Sequence, residues 1–380
     1  MRWNRMWRCA LVVLAIVAGA DLMAAPKPKP PPAPVDTGTI YYRADNFEVW
    51  SMKPDGTNKT KLAVKGTPSQ ALHDNERWFL TVEPVAGTYP DEAVRHELFA
   101  TNRTGDISVQ LTDAAWTDEY GKSYLVEFDN ANGAFAHQVS SWMIMWAADG
   151  GAADGKASFL GWTWDVTDSE HPVVVDWGIY VVTLDADDWA AIEADSGDWV
   201  PKTPVLLDDV RIIDGEELPL PEGERPYSMN VPYDWSPDGA KIVWAPLPEG
   251  DSVRDLWIGT PGADDAVKLV TNGTLPSWSP AGKIAYLSCA AGSYQIMTID
   301  PSTGATATLV TQTNKNWTSN KRVTCPRWSP NATHLIYLFV DYSDASNFVY
   351  DLFRVTSSGS EATNLTADQT TTLGDLIWRP

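Results

Sequence analysis

The sequence predicts an all-β protein: a six-bladed β-propeller with four antiparallel strands per blade. Three observations carry that prediction. Trp-Ser-Pro recurs in "DWSPDGAKIVW" at 234, "SWSPAGKIAYL" at 277 and "RWSPNATHLIYL" at 327. The three tryptophans stand 43 and then 50 residues apart, a period that belongs to stacked blades rather than to one globular core. Each copy then runs through the same succession of short β-rich stretches and turn residues.

Within a copy, Trp-Ser-Pro-Asp-Gly ends a first strand and enters a type I turn, with Pro at the second position and Gly at the fourth. A second strand follows as "KIVWA", "KIAYLS" or "HLIYLFV". Beyond a polar loop comes a third, "DLWIGTPGAD", "YQIMTIDPSTG" or "YDLFRVTSSGS", closed by a Gly-containing turn. The fourth is "AVKLVT", "ATATLVT" or "EATNLT".

Weaker copies lie upstream. "QALHDNERWFLTVE" at 70 and "HELFATNRTGDISVQLT" at 96–112 make one blade, with His-Asp-Asn-Glu in the turn. Residues 113–212 make a longer one from "SSWMIMWAADG", "ASFLGWTWDV", "GIYVVTLDAD" and "TPVLLDD", separated by long polar loops. The blades are therefore expected at 38–65, 66–112, 113–212, 213–271, 272–312 and 313–366. The first lacks a first strand, and residues 374–380, "GDLIWRP", supply it: Trp378 takes the motif tryptophan position and Pro380 the proline position. Pairing beside "TIYYRAD" closes the ring and removes two exposed strand edges.

The 380 residues are 44% hydrophobic and include 19 tryptophans, far too apolar to remain unfolded. The start, "MRWNRMWRCALVVLAIVAGADLMAA", has a basic segment, an apolar run and an Ala18-Gly19-Ala20 cleavage site. That is a signal peptide over 1–20, with an alternative cleavage near 25, and it predicts a periplasmic or extracellular protein. A proline-rich linker completes 21–37, and the propeller occupies 38–380. Loss of Arg2, Arg5 and Arg8 leaves 25 basic against 50 acidic residues, a formal charge of −25. Such a surface excludes nucleic acid and insertion into a membrane after signal cleavage, and points to protein, peptide or glycan partners of a monomer. Cys289 and Cys325 are either joined in a disulfide closing a loop of about 36 residues, contributing about 3 to 4 kcal/mol, or are two buried thiols.

The motif copies resemble the TolB-like β-propeller family, whose blades carry Trp-Ser-Pro-Asp-Gly followed by Lys, a hydrophobic pair and an aromatic residue. The resemblance covers nearly all of 38–380 and is strongest over 226–380. It implies a six-bladed propeller and says little about activity. The α/β domain that precedes the propeller in TolB has no counterpart between the proline linker and residue 38, so a full Tol-system role does not follow. Prolyl-oligopeptidase-type enzymes also carry a propeller, but joined to an α/β-hydrolase domain, and this chain has no Gly-x-Ser-x-Gly.

Candidate site residues are few. Trp235, Trp278, Trp328 and Trp378, one per blade at one place, are expected to pack between blades. Seven tryptophans, at 142, 146, 162, 164, 177, 189 and 199, crowd beside the acidic loops "ADGGAADG" and "DADD". They either fill a thicker blade or offer a binding face, with Trp162, Trp164 and Trp177 as platforms and Asp185 and Asp187 taking hydroxyls, amines or Ca²⁺. The acidic spacing is not that of an EF-type loop. No His pair has zinc spacing; by resemblance to sugar lyases, His73, His96, His137 and His171 could converge on a metal. Six Asn-x-Thr sequons, at Asn58, Asn102, Asn272, Asn316, Asn331 and Asn364, are read as blade turns. The functional expectation is a non-enzymatic exported binding scaffold without catalytic residues or a resident cofactor. The alternative is a carbohydrate-active or metal-dependent lyase or hydrolase with its site on the propeller mouth.

Overall fold

A computed structural model describes residues 37–44, 48–65, 77–85, 95–112, 135–146, 155–165, 173–194, 199–202, 205–208, 212–213, 216–217, 232–246, 254–261, 263, 265–288, 294–311, 321–344, 348–367 and 373–380. They belong to one compact unit, Asp36–Pro380. Residues 1–36, which hold the expected signal peptide and nearly all of the expected linker, and His73, His171, Cys289 and Asn316 lie outside the described residues.

The protein is a six-bladed β-propeller. Blade one contains β1 (Thr39–Ala44), β2 (Glu48–Met52) and β3 (Thr60–Lys65). Blade two contains β4 (Trp78–Val85), β5 (Arg95–Asn102) and β6 (Ser108–Gln110), the region expected to give its first strand being outside the described residues. Blade three contains β7 (Phe135–Trp146), β8 (Lys156–Asp165), β9 (Val173–Thr183) and β10 (Val205–Asp208), with α1 (Ala186–Ala194) before its last strand. A short hairpin, β11 (Ile212–Ile213) and β12 (Glu216–Glu217), precedes blade four, which is β13 (Tyr233–Trp235), β14 (Ile242–Trp244), β15 (Leu256–Gly259) and β16 (Val267–Val270). Blade five is β17 (Gly273–Trp278), β18 (Ile284–Ser288), β19 (Gln295–Ile299) and β20 (Thr306–Thr311). Blade six is β21 (Lys321–Trp328), β22 (His334–Asp341), β23 (Val349–Thr356) and β24 (Thr363–Asn364). Finally β25 (Gly374–Arg379) pairs antiparallel with β1, placing Ile40 opposite Trp378 and Tyr41 opposite Ile377.

The core lies between blades. Alternation along each second strand sends successive side chains to opposite neighbours. In β18, Ile284 and Tyr286 join Val243 and Leu256 of blade four, while Ala285 and Leu287 join Trp328 and Tyr337 of blade six. In β22, Leu335 and Tyr337 face blade five, while Ile336, Leu338 and Val340 meet Ile40, Tyr42 and Trp378 of blade one. Burial on both faces is why these strands read as unbroken apolar runs rather than alternating ones. Tyr41 and Phe79 seal blades one and two, and Leu80 with Phe159 seals two and three. The seam between three and four is polar: Tyr233 Oη and Trp235 Nε1 donate to Ser158 Oγ at 3.0 and 3.1 Å, and that hydroxyl donates to the Met145 carbonyl at 3.2 Å.

Turn chemistry follows the motif. Gly239 N donates to Ser236 O at 2.8 Å, while Asp238 accepts from Ser236 Oγ and Ala240 N. The sequon asparagines that are described lie at turns or strand ends: Asn58 and Asn272 adopt left-handed backbone, and Asn102, Asn331 and Asn364 accept backbone N–H bonds through their side chains. Gly38, at φ 97°, is required at the ring seam because a Cβ there would strike the Arg379 carbonyl.

Candidate functional site

The first strands surround the propeller axis, since β13, β17, β21 and β25 pack successively against one another. Where they end, the motif tryptophans turn into the blade interfaces. Trp146, Trp235, Trp328 and Trp378 are buried and Trp278 half-buried. Trp328 Nε1 donates across to the Ser277 carbonyl of the preceding blade at 3.1 Å. With the tryptophan committed to packing, the residue before it lines the axis. A cavity of about 270 Å³ results, bordered by Met145, Asp234, Ser277, Arg327 and Ile377, each preceding a motif-position tryptophan in five different blades. Arg379, standing where the motif has serine, completes the charged wall; the rim carries Pro237, Pro280, Pro330 and Pro380.

Asp234 is the electrostatic centre. Its Oδ2 accepts from Trp278 N at 2.6 Å and its Oδ1 from Trp235 N at 2.9 Å, tying blade four to blade five. Burial pushes its carboxyl up to about 6, outweighing the Arg327 and Arg379 charges and the two N–H bonds, all of which pull it down. Part of the residue nevertheless opens to the cavity. Arg327 Nη1 donates to the Pro326 carbonyl at 2.9 Å, whereas its buried Nε has no hydrogen-bond partner. Among the described residues no carboxylate forms an ion pair with Arg327. Among the described lining residues the charged side chains are the Arg327 and Arg379 guanidiniums and the Asp234 carboxylate.

The blade-three expectations fall elsewhere. Trp162 is the register partner of Trp177 across β8 and β9, and Trp164 that of Val174. Trp146 and Trp189 have ring centroids 5.5 Å apart within the packing of blades two and three, and Trp199 Nε1 donates to the Gln110 carbonyl at 2.7 Å. These three fill the blade. Asp185 caps α1: its Oδ1 accepts from Asp187 N and Asp188 N at 2.9 Å each, and Asp188 accepts in return from Asp185 N at 2.8 Å. Lys202 pairs with Asp188. Asp187 stays exposed in the first helical turn. His96 lies in β5 opposite Pro84 and His137 in β7 opposite Thr163. Among the described residues no group of three His, Cys, Asp or Glu is positioned to hold a metal ion, and no helix is long and apolar enough to cross a membrane.

Asp234, Arg327 and Arg379 were not singled out from sequence. The signal was present: in an otherwise uniform motif, the position before tryptophan reads Asp, Ser, Arg and Ile, which marks Asp234 and Arg327, and Arg379 replaces the motif serine after Trp378.

Fold and cavity together define a six-bladed propeller with a charged pocket at the motif end of its axis. No family model and no curated protein matches the chain. Among solved structures, TolB from Acinetobacter baumannii is similar at 13% identity and a TM-score of 0.53, over 91% of this chain and 68% of that one. A putative TolB from Agrobacterium tumefaciens gives 12% and 0.44, over 90% and 98%. Oligogalacturonate lyase from Vibrio parahaemolyticus gives 12% and 0.44, over 87% and 79%. At these identities the likeness is one of fold.

Proposed function

We propose that the protein is an exported, non-enzymatic binding scaffold that receives its partner at the motif-end mouth of the propeller axis. The observation that supports this is the convergence of one motif position from five blades on a single cavity holding Asp234, Arg327 and Arg379. Side chains set on rigid inner strands keep their geometry when a ligand arrives, which favours recognition. Protein, peptide and glycan partners fit the acidic exterior, as argued from charge. A second reading has one observation in its favour: a carboxyl raised to about 6 suits a general acid or base. Against it, both Asp234 oxygens already accept backbone N–H bonds, which leaves the carboxylate better placed to hold the seam than to exchange protons.

Rim substitutions test the proposal with little risk to the fold, because Pro280 is exposed and Pro330 half-buried, both at turn positions that accept most residues. Wild type and the Pro280→Glu/Pro330→Glu double variant are each used to capture partners from envelope extract. A partner retained by wild type and lost by the double variant is expected; identical captures would sink the mouth as the binding surface. The competing location is the blade-three group of Trp162, Trp164, Trp177, Asp185 and Asp187, whose substitution would then remove the partner instead. Turnover of an oligosaccharide or peptide by wild type, abolished in Asp234→Asn, would establish the enzymatic reading.

A further inference from the structure

We propose that the cavity captures a carboxylate of a peptide or protein ligand, an acidic side chain or a free C-terminus, between the guanidiniums of Arg327 and Arg379. The inference rests on the reading of the mouth as the binding surface. Three features lead to it. Arg327 lines the pocket and forms no ion pair with a carboxylate among the described residues, while the neighbouring Asp234 carboxylate is engaged by Trp235 N and Trp278 N, so a ligand anion can pair with the Arg327 guanidinium. Arg327 spends one Nη1 hydrogen on the Pro326 carbonyl, which leaves its other Nη donors for an acceptor in the cavity that it lines. A guanidinium's planar fork matches a carboxylate in paired, charge-assisted bonds, which a neutral ligand cannot supply.

The walls favour a peptide over a sugar acid. Met145, Ile377 and Trp278 present apolar and aromatic surface beside the arginines. A sugar would need partners for its ring hydroxyls, and the polar side chains here are largely occupied. Both Asp234 oxygens are taken, and Ser329 Oγ donates to Asn331 Oδ1 while accepting from His334 N. At about 270 Å³ the cavity is smaller than the ~300–1,000 Å³ of typical small-molecule sites, a size for one side chain or chain terminus of a larger ligand. The formal charge of −22 repels anions at long range, so the arginines select at contact and do not steer approach.

The test selects a randomised short-peptide library, displayed with free C-termini, on the immobilised full-length protein. Enriched peptides should share Asp, Glu or the terminal carboxylate at one fixed place. Changing that acid to its amide should weaken binding by at least about tenfold, as should Arg327→Gln or Arg379→Gln, while Arg327→Lys should restore part of the loss. The peptide-side change leaves the protein untouched, so the result does not depend on whether an arginine variant folds. Enriched peptides that lack an acid but are lost with Pro280→Glu/Pro330→Glu would overturn the carboxylate and leave the mouth reading standing. No enrichment, or enrichment indifferent to every mouth substitution, would remove both. Binding of trigalacturonate that requires both arginines, with no acidic peptide enriched, would overturn the peptide assignment in favour of a sugar acid.

Discussion

Replacing Trp378 with alanine should open the propeller at its seam. The indole is 3% exposed, packs with Ile40, Ile336 and Leu376, and donates through Nε1 to the Thr37 carbonyl at 3.1 Å. Truncating a buried aromatic costs about 3–5 kcal/mol, and the lost hydrogen bond adds about 0.5–1.5. The expected loss of about 4–6 kcal/mol is a large part of the ~5–15 that a folded domain possesses. Deleting 374–380 should cost more, since Leu376 and Ile377 are buried as well and β1 loses its whole β25 partner strand. Gly38→Ala approaches the seam from the other side, forcing a Cβ into the Arg379 carbonyl. Urea denaturation followed by tryptophan fluorescence measures all three. A loss below about 1 kcal/mol for Trp378→Ala, the scale of an ordinary surface substitution, would refute closure through this strand.

Further predictions concern pH, redox state and turns. Because the Asp234 carboxyl is raised above its unfolded value of 3.8, its contribution to stability is fully present below that value and lost as pH rises through about 6. Between pH 4 and pH 7 wild type should lose at most about 3 kcal/mol relative to Asp234→Asn, less where water in the cavity screens the charge; parallel stability curves would contradict this. Asp238 behaves oppositely, its carboxyl being held low by Ser236 and Ala240, so its support is present above about pH 4 and lost in acid; Asp238→Asn should flatten that acid loss in thermal melts. If Cys289 and Cys325 pair, non-reducing peptide mapping should recover one linked peptide; two thiols alkylated in the native protein would end the idea.

The architecture could be read from the sequence because blade strands bury both faces and the turn motif repeats at fixed places. β25 is recognisable through Trp378 and Pro380 at the motif positions and through the strand that the first blade lacks. What escaped the reading has physical reasons. The stretch "DADD" reads as an acidic loop, yet Asp185 and Asp188 form reciprocal caps and Trp189 and Ile192 anchor α1 to the blade core. A nine-residue helix with one fully buried side chain leaves little periodicity to detect. The cavity was missed because its residues are spread over five blades, and only closure of the ring brings Asp234, Arg327 and Arg379 together. The carboxylates of the "DADD" stretch drew attention by density, whereas Asp185 serves the helix.

Hydrogen exchange with and without the captured partner tests the central claim most directly. The account predicts new protection over 277–280, 327–330 and 377–380, the motif ends that line the cavity. Protection confined to 162–187, with those segments unchanged, would contradict it.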